Sequence, residues 1–183
     1  MQLQAEAKGT NLPRRRFLKG AAGITFALTL PVGPRGLADE AHAAPSPLAP
    51  NVWVSIAVDG TIMIVSPSSE MGQGSLTALP VILAEELDAD WSKVKIVEPP
   101  AWDAKIYGNP KRDSRMSTTG AFSVTGYFTS LRIAGAQMRR VLIDAAAANW
   151  GVRAEELVTE PGEAVHRPSG RRVGYGDIAR FAR

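Results

Sequence analysis

The stretch "VWVSIAVDGTIMIVSPSSEMGQGSLTALPVILAEEL", residues 52–87, decides the fold of this chain. Its first part holds two apolar runs joined by Asp59-Gly60, a strong signal for a β-hairpin because both turn positions favour positive φ. Pro67 ends the second run, and a polar loop follows. Leucine and isoleucine then recur at helical spacing up to residue 87. We expect Pro80 near the first helical turn or at a kink, because proline in a helix interior removes a hydrogen bond.

Between the hairpin and the helix lies the loop "EMGQG", in which Gly72 and Gly74 flank the amide side chain of Gln73. Glycines let a backbone take positive φ and approach a ligand closely. The helix N-terminus beyond them offers free N–H groups to an anion, and an amide both donates and accepts without charge. The pattern is typical either of a loop that holds an anionic, hydrogen-bonding ligand or of a tight turn with no ligand. Glu70, beside the loop, is expected to be a solvated or helix-capping carboxylate.

The second half of the chain continues with strands and helices. A short strand is predicted over residues 93–98. Residues 101–119 form a long polar loop, and a loop of this length in a compact domain usually has a function. A long helix is predicted over residues 123–150, followed by a short turn, a hairpin turning at residues 168–170 and a last helix. The predicted apolar stripe of the long helix comprises Phe128, Leu131, Met138, Leu142 and Ala145, with Ala134 and Gly135 allowing close packing beside it. The sequence therefore predicts an α+β fold of antiparallel β-hairpins with two main helices packed on one side.

The bulk composition is that of a folded protein, with 45% hydrophobic and 21% charged residues in a chain of 183. The net charge of +3 comes from residues 1–43, which carry six Lys and Arg against three Asp and Glu. The rest is balanced, so we expect no nucleic-acid partner, which needs a concentrated basic face. The chain has no cysteine, which excludes disulfides and cysteine-ligated zinc or iron–sulfur sites.

The N-terminal tail has the pattern of a targeting segment. Arg14 and Arg15 precede a short apolar run over residues 20–32, and an A-x-A cleavage site ends at Ala43. The "RRRFLK" core is similar to the twin-arginine signal, whose translocon exports proteins that are already folded. An ordinary secretory signal or a chance basic tail is the alternative. We expect a twin-arginine signal peptide over 1–43, a proline-rich linker over 44–50, a folded part over 51–183 and a periplasmic location.

Several segments, taken in order, carry a family resemblance. They are the hairpin, "EMGQG" with its helix, "LDADWSKVKIVEP", the long loop, "STTGAFSVTG" and "LRIAGAQMRRVLIDAAAANWGV". Together they resemble the molybdopterin-binding large subunits of the xanthine dehydrogenase and aldehyde oxidase family, in particular the isoquinoline 1-oxidoreductase-like branch. None of the motifs is specific singly, but the ordered set is. The resemblance implies that residues 51–183 are the N-terminal, incomplete portion of a larger molybdenum-cofactor-binding domain.

The resemblance also implies which residues contact the cofactor, a molybdenum–molybdopterin expected in its cytosine dinucleotide form. The first loop would contribute Met71, Gly72, Gln73 and Gly74, and the second Thr119, Gly120 and Ser123. In the second loop Ala121 and Phe122 depart from the family's T-G-G-S pattern, so Thr119 and Ser123 are the hydroxyls that remain there. No residue of this chain matches the family's catalytic glutamate, so no catalytic residue and no protein ligand to a metal is predicted here.

The resemblance implies part of a molybdenum hydroxylase, which inserts oxygen from water into an N-heteroaromatic compound or an aldehyde. Electrons would leave through a separate small iron–sulfur subunit, because no cysteine of this chain can ligate a cluster. Two alternatives stay open. One is a truncated, non-enzymatic gene product, and the other is a small exported binding module without activity alone.

Overall fold

The computed structural model describes residues 52–99 and 103–182, together with the backbone of residues 23–25. The strands are β1 (Gly23–Thr25), β2 (Val54–Ala57), β3 (Ile62–Val65), β4 (Val94–Val97), β5 (Leu157–Glu160), β6 (Glu163–His166) and β7 (Arg171–Gly174). The α-helices are α1 (Ser75–Leu87), α2 (Ala104–Tyr107), α3 (Phe122–Trp150) and α4 (Tyr175–Phe181). Strands β1–β4 form one sheet and β5–β7 a second, so the predicted α+β class is confirmed.

The predicted hairpin at Asp59-Gly60 is formed by β2 and β3, but its turn differs from the expected one. Only Gly60 has positive φ, at 86°. The Gly60 N–H donates to the Ala57 carbonyl, and the Asp59 carboxylate accepts from the Thr61 N–H, both at 2.9 Å. The loop is therefore a three-residue turn closed by a left-handed glycine, which is the next most common way to join two strands.

The first sheet is mixed, whereas the sequence predicted antiparallel pairing throughout. β2 and β3 are antiparallel, but β4 pairs parallel to β3, with Ile62 opposite Val94 and Val65 opposite Val97. The chain passes between these strands through α1, as a parallel connection requires a crossover. Since the first loop lies between β3 and α1, this crossover determines where the loop is placed.

Helix α1 runs unbroken through Pro80, its sixth residue, which is buried. Its inner face is apolar, and Leu79, Leu83 and Leu87 are fully buried. Asp88 ends the helix in the left-handed conformation, with its N–H on carbonyls of the last turn. The predicted helix is confirmed. Pro80 lies in its second turn, where the missing N–H removes one hydrogen bond of the helix.

The long helix α3 packs against α1 at a point where no side chain intervenes. A Cβ built on Gly135 would lie 2.4 Å from the Leu83 carbonyl oxygen of α1, so only glycine lets the backbones approach this closely. The predicted close packing is confirmed. The predicted apolar stripe is partly wrong, because Phe128 is 43% exposed and Ala145 only half-buried. The buried face comprises Tyr127, Leu131, Ala134, Met138, Leu142 and Ala146.

The second sheet is a meander joined to the end of α1. The predicted hairpin β6–β7 is confirmed, and β5 adds a strand that the sequence did not reveal. The buried Tyr175 hydroxyl donates to the Leu87 carbonyl at 2.9 Å, and the Gly162 N–H donates to the Asp88 carbonyl at 2.8 Å. His166, which the sequence indicates to be a surface residue near the hairpin turn, is instead buried, at 6% exposed, and is bonded to Ser169 and Glu156.

The predicted signal peptide and linker lie outside the described residues, except for β1. This short strand comes from the apolar run of the tail and pairs antiparallel with β2, with Ile24 opposite Ile56. The pairing does not bear on export, which stays a prediction.

Candidate functional site

The two loops predicted to contact a ligand lie on opposite sides of one groove. The groove has a volume of about 440 Å³. It is lined by Met71, Gln73, Ser75, Ala78, Thr118, Thr119, Gly120, Ala121, Ser123 and Val124. Five of the seven predicted site residues are in this set; Gly72 and Gly74 are the exceptions. None of the lining residues is charged, so the groove offers hydroxyl, amide and backbone groups between apolar walls.

Glu70 caps the N-terminus of α1 from within the first loop. Its carboxylate accepts from the N–H groups of Gly72 at 2.7 Å, Gly74 at 3.0 Å and Leu76 at 3.2 Å. The N–H of Gly74, followed by that of Leu76, lowers the pKa of the Glu70 carboxyl below its ordinary value. The expected capping role is confirmed. Of the N–H groups predicted to be free for an anion at this helix end, that of Leu76 is therefore already occupied.

Gly72 and Gly74 are required by backbone conformation rather than by packing. Both have positive φ, 92° and 78°, and a Cβ on either would meet no atom within 4 Å. L-residues seldom adopt this conformation, so glycine stabilises the turn that presents residue 73. That these glycines leave room for a ligand stays a prediction, since neither lines the groove.

The Gln73 amide is held in one orientation by its own loop. Its Oε1 accepts from the Met71 N–H at 2.7 Å, and its Nε2 donates to the Ser69 carbonyl at 2.7 Å and to the Ser75 hydroxyl. Both amide hydrogens are thus in use, whereas Oε1 keeps one lone pair. What Gln73 can offer a ligand in this conformation is an acceptor.

The second loop begins a helix whose first turn is uncapped. Ala121 stands at the N-cap of α3 with φ 57°, and no side chain accepts from the first N–H groups. The Phe122 N–H donates to the Thr119 carbonyl at 3.3 Å, so the donors that remain for an acceptor or an anion are the N–H groups of Ser123 and Val124. Ala121 stores strain there, since the left-handed conformation costs a non-glycine residue about 1–2 kcal/mol. The departure at Ala121 leaves the backbone donors in place but adds this strain.

Buried groups outside the groove support the second loop. Asn109 is fully buried; its Nδ2 donates to the Phe122 carbonyl and its Oδ1 accepts from the Lys111 N–H, both at 2.9 Å. A Cβ on Gly126 would lie 1.9 Å from the Asn109 Oδ1, so glycine is needed for this contact. The Tyr127 hydroxyl donates to the Tyr107 carbonyl at 2.7 Å. The polar segment over residues 103–119 is therefore anchored to the start of α3.

Sequence reasoning missed Asn109 and also Ser68, which is 3% exposed and bonds three hydroxyl groups around the groove. The signal for Asn109 was the Asn-Pro pair inside a long loop, which marks a turn. For Ser68 no local signal exists, because serine before a glycine loop is ordinary and two of its three partners lie about 50 residues away.

The comparison with protein families shows to which family this chain belongs. The molybdopterin cofactor-binding domain family matches residues 2–183 of this chain. The chain belongs to this family. The resemblance of the ordered motifs is thereby confirmed, and the groove lies between the two loops at which the resemblance placed the cofactor.

Two curated relatives of this molybdopterin-binding chain match it along nearly its whole length. The β subunit of isoquinoline 1-oxidoreductase from Brevundimonas diminuta is 44% identical over 169 residues, which cover 91% of this chain and 22% of the relative. A membrane-bound aldehyde dehydrogenase (pyrroloquinoline-quinone) from Gluconacetobacter polyoxogenes is 30% identical over 175 residues, which cover 92% of this chain and 21% of that relative. The chain thus spans about a fifth of the length of these relatives.

A solved structure shows the same fold. The Cu,Mo-CO dehydrogenase in its carbon-monoxide-reduced state superposes with a TM-score of 0.53 at 15% identity, over 73% of this chain and 16% of that one. The molybdopterin-binding chain therefore has the fold of part of a larger molybdenum-protein domain.

The groove fits a pterin better than it fits a metal ion. A pterin ring carries uncharged donors and acceptors along its edge, and the groove presents the Gln73 Oε1, the Thr119 and Ser123 hydroxyls and free backbone N–H groups. The described residues contain no group of three or more His, Cys, Asp or Glu side chains that could hold a metal. No described helix is both long and apolar enough to cross a bilayer.

Proposed function

We propose that this chain is the N-terminal part of an exported molybdenum hydroxylase large subunit, and that its groove holds part of the molybdenum–pterin cofactor. The observation that carries the proposal is the convergence of residues 71–74 and 118–124 on one uncharged groove. The family membership and the isoquinoline 1-oxidoreductase relative support it. When bound, the cofactor supplies the redox chemistry that hydroxylates an N-heteroaromatic compound or an aldehyde with oxygen from water.

In this proposal the residues of the chain bind and orient the cofactor. Gln73 accepts a hydrogen bond on Oε1, while the Thr119 and Ser123 hydroxyls and the first N–H groups of α3 donate to the pterin edge or its phosphate. Met71 and Val124 cover the apolar faces. A separate small iron–sulfur subunit receives the electrons, and the cofactor is the cytosine dinucleotide form. The chain contributes part of the cofactor site, and the remainder of the subunit contributes the base.

The test is the molybdenum content of the native gene product, purified with the subunits that accompany it. Gln73→Ala should lower metal occupancy, because it removes the acceptor and three hydrogen bonds that order the loop. Leaving a polar group of the bound cofactor without this partner costs about 1–3 kcal/mol, which weakens binding by roughly fivefold to more than a hundredfold. Gln137→Ala, which removes an exposed amide from α3, is the matched control. Equal molybdenum in the two variants would contradict the assignment of Gln73.

A second candidate cofactor, pyrroloquinoline quinone, follows from the name of the Gluconacetobacter relative. The same metal measurement separates the two. A protein purified with a quinone and no molybdenum would favour the second candidate. A monomer that binds neither would favour the small exported binding module.

Export by the twin-arginine route rests on Arg14 and Arg15 and on the cleavage site at Ala43. Changing both arginines to lysine should leave the precursor in the cytoplasm, because the translocon reads the arginine pair. Cell fractionation with a periplasmic marker measures this. Unchanged export of the double variant would exclude the twin-arginine signal.

A further inference from the structure

The hydroxyl of Ser68 joins the two sides of the groove at its base. Its Oγ lies 2.8 Å from the Ser75 Oγ, 3.0 Å from the Ser123 Oγ and 3.2 Å from the Thr118 Oγ1. Ser75 is the first residue of α1, whereas Thr118 and Ser123 belong to the second loop and the start of α3. Ser68 itself follows β3, so one buried side chain connects the sheet with both helix entries.

The number of hydroxyl hydrogens limits which members of this cluster donate and which accept. A serine hydroxyl donates one hydrogen and accepts up to two, so at least two of the three neighbours must donate to Ser68. Ser75 already accepts from the Gln73 Nε2, and Thr118 already accepts from the Ser69 N–H at 3.0 Å. Since one acceptor site of Ser75 and one of Thr118 are already filled, the simplest assignment has both donate to Ser68, which then donates to Ser123. The hydrogen of Ser123 remains for a ligand in the groove.

We propose that Ser68 is a positioning residue that sets the width of the groove and orients Ser123 as a donor toward the bound cofactor. This inference rests on the proposed function. Ser68 does not line the groove, so it acts through Ser75, Thr118 and Ser123. The same cluster links Ser123 to Gln73 through Ser68 and Ser75, so the two loops are held by one hydrogen-bonded chain.

The chain contains a matched control two residues away. Ser66 is as buried as Ser68, 1% against 3% exposed, but its Oγ has no hydrogen-bond partner among the described residues. Ser66→Ala and Ser68→Ala therefore each remove one hydroxyl oxygen from a buried side chain, at two positions separated only by Pro67. Only the second change breaks the connection between the loops.

The first readout is hydrogen exchange in the native protein, at amides of residues 71–75 and 118–123. Ser68→Ala should speed exchange in both loops about tenfold, equivalent to about 1.4 kcal/mol, whereas Ser66→Ala leaves it unchanged. Ser68→Thr, which keeps the hydroxyl, should restore protection. Unchanged exchange in Ser68→Ala, or equal changes in both alanine variants, would overturn the proposal.

The second readout is molybdenum per protein in the same preparations. Ser68→Ala should lose most of the metal while the thermal unfolding of the protein stays as in Ser66→Ala. Retention of full metal in spite of faster loop exchange would overturn the link to the cofactor. If the unaltered protein carries no molybdenum, the proposed function fails, and the exchange experiment still decides whether Ser68 joins the loops.

A third pair of variants covers the case in which Ser68→Ala does not fold. Ser123→Ala removes one bond of the cluster and should speed exchange only over residues 118–123, and Ser75→Ala only over residues 71–75. If neither variant changes exchange in its own loop, the cluster does not hold the groove and the proposal fails.

Discussion

Replacing Tyr127 by alanine should destabilise the start of α3 by about 4 kcal/mol, as expected for a buried aromatic side chain. Tyr127 is 2% exposed, and its ring meets the edge of Trp53 at a centroid distance of 6.1 Å. Its hydroxyl holds the Tyr107 carbonyl, and burial raises the pKa of Tyr127 to about 12. The phenol therefore stays protonated and donating at neutral pH.

The adjacent residue supplies the control for this experiment. Phe128 is 43% exposed, with the Arg132 guanidinium 5.5 Å from its ring centroid, so Phe128→Ala should cost about 1 kcal/mol or less. Native-state hydrogen exchange of the α3 amides measures both changes. Similar losses in the two variants would mean that the buried face of α3 has been assigned incorrectly. The loss of stability in Tyr127→Phe should lie between those of the two alanine variants, because this change leaves the Tyr107 carbonyl without its hydrogen-bond donor.

Replacing Gly135 by leucine should separate α1 from α3 and cost about 3 kcal/mol or more, at the upper end of what overpacking does. The atom that a Cβ would strike is the Leu83 carbonyl oxygen at 2.4 Å, and the Glu86 Cβ lies at 2.9 Å. A backbone oxygen cannot rotate away as a side chain can. The helices must move apart, and the groove above them widens.

The neighbouring residue again provides the comparison. Ala136→Leu adds the same leucine at an exposed position of the same helix, where helix propensities differ by only a few tenths of a kcal/mol. Exchange protection of α1 amides should drop in the Gly135 variant alone. Unaltered protection of α1 in Gly135→Leu would show that the helices do not approach as closely as this structure has them.

The two loops that line the groove are held in place although the first of them is exposed. Residues 70–74 lie in solvent, yet Glu70 occupies N–H groups at the start of α1, and the Gln73 amide is held by its own backbone. On the other side, Asn109 and Tyr127 anchor the second loop from below. The groove is therefore shaped before a ligand binds, which lowers the entropy that binding must overcome.

The sequence by itself determined the elements whose signals are local. Asp59-Gly60 predicted the hairpin because a turn of that composition forms within a few residues. The ordered motifs around residues 71–74 and 118–123 pointed to the family, which the family comparison confirmed. Glu70 was expected to be solvated or to cap a helix, and a carboxylate beside a helix start meets the positive end of its dipole.

Only the tertiary structure decided what depends on distant contacts. The parallel pairing of β4 with β3 follows from the crossover through α1, and a short apolar strand carries no mark of its partner's direction. Phe128 satisfies helical periodicity as well as Tyr127 does, but the position of Trp53 and Tyr107 decides which of the two is buried. His166 is buried because Glu156 and Trp150 enclose it. Ser68 gained its role in the same way, since its partners Thr118 and Ser123 are brought to it by the packing of α3 on α1.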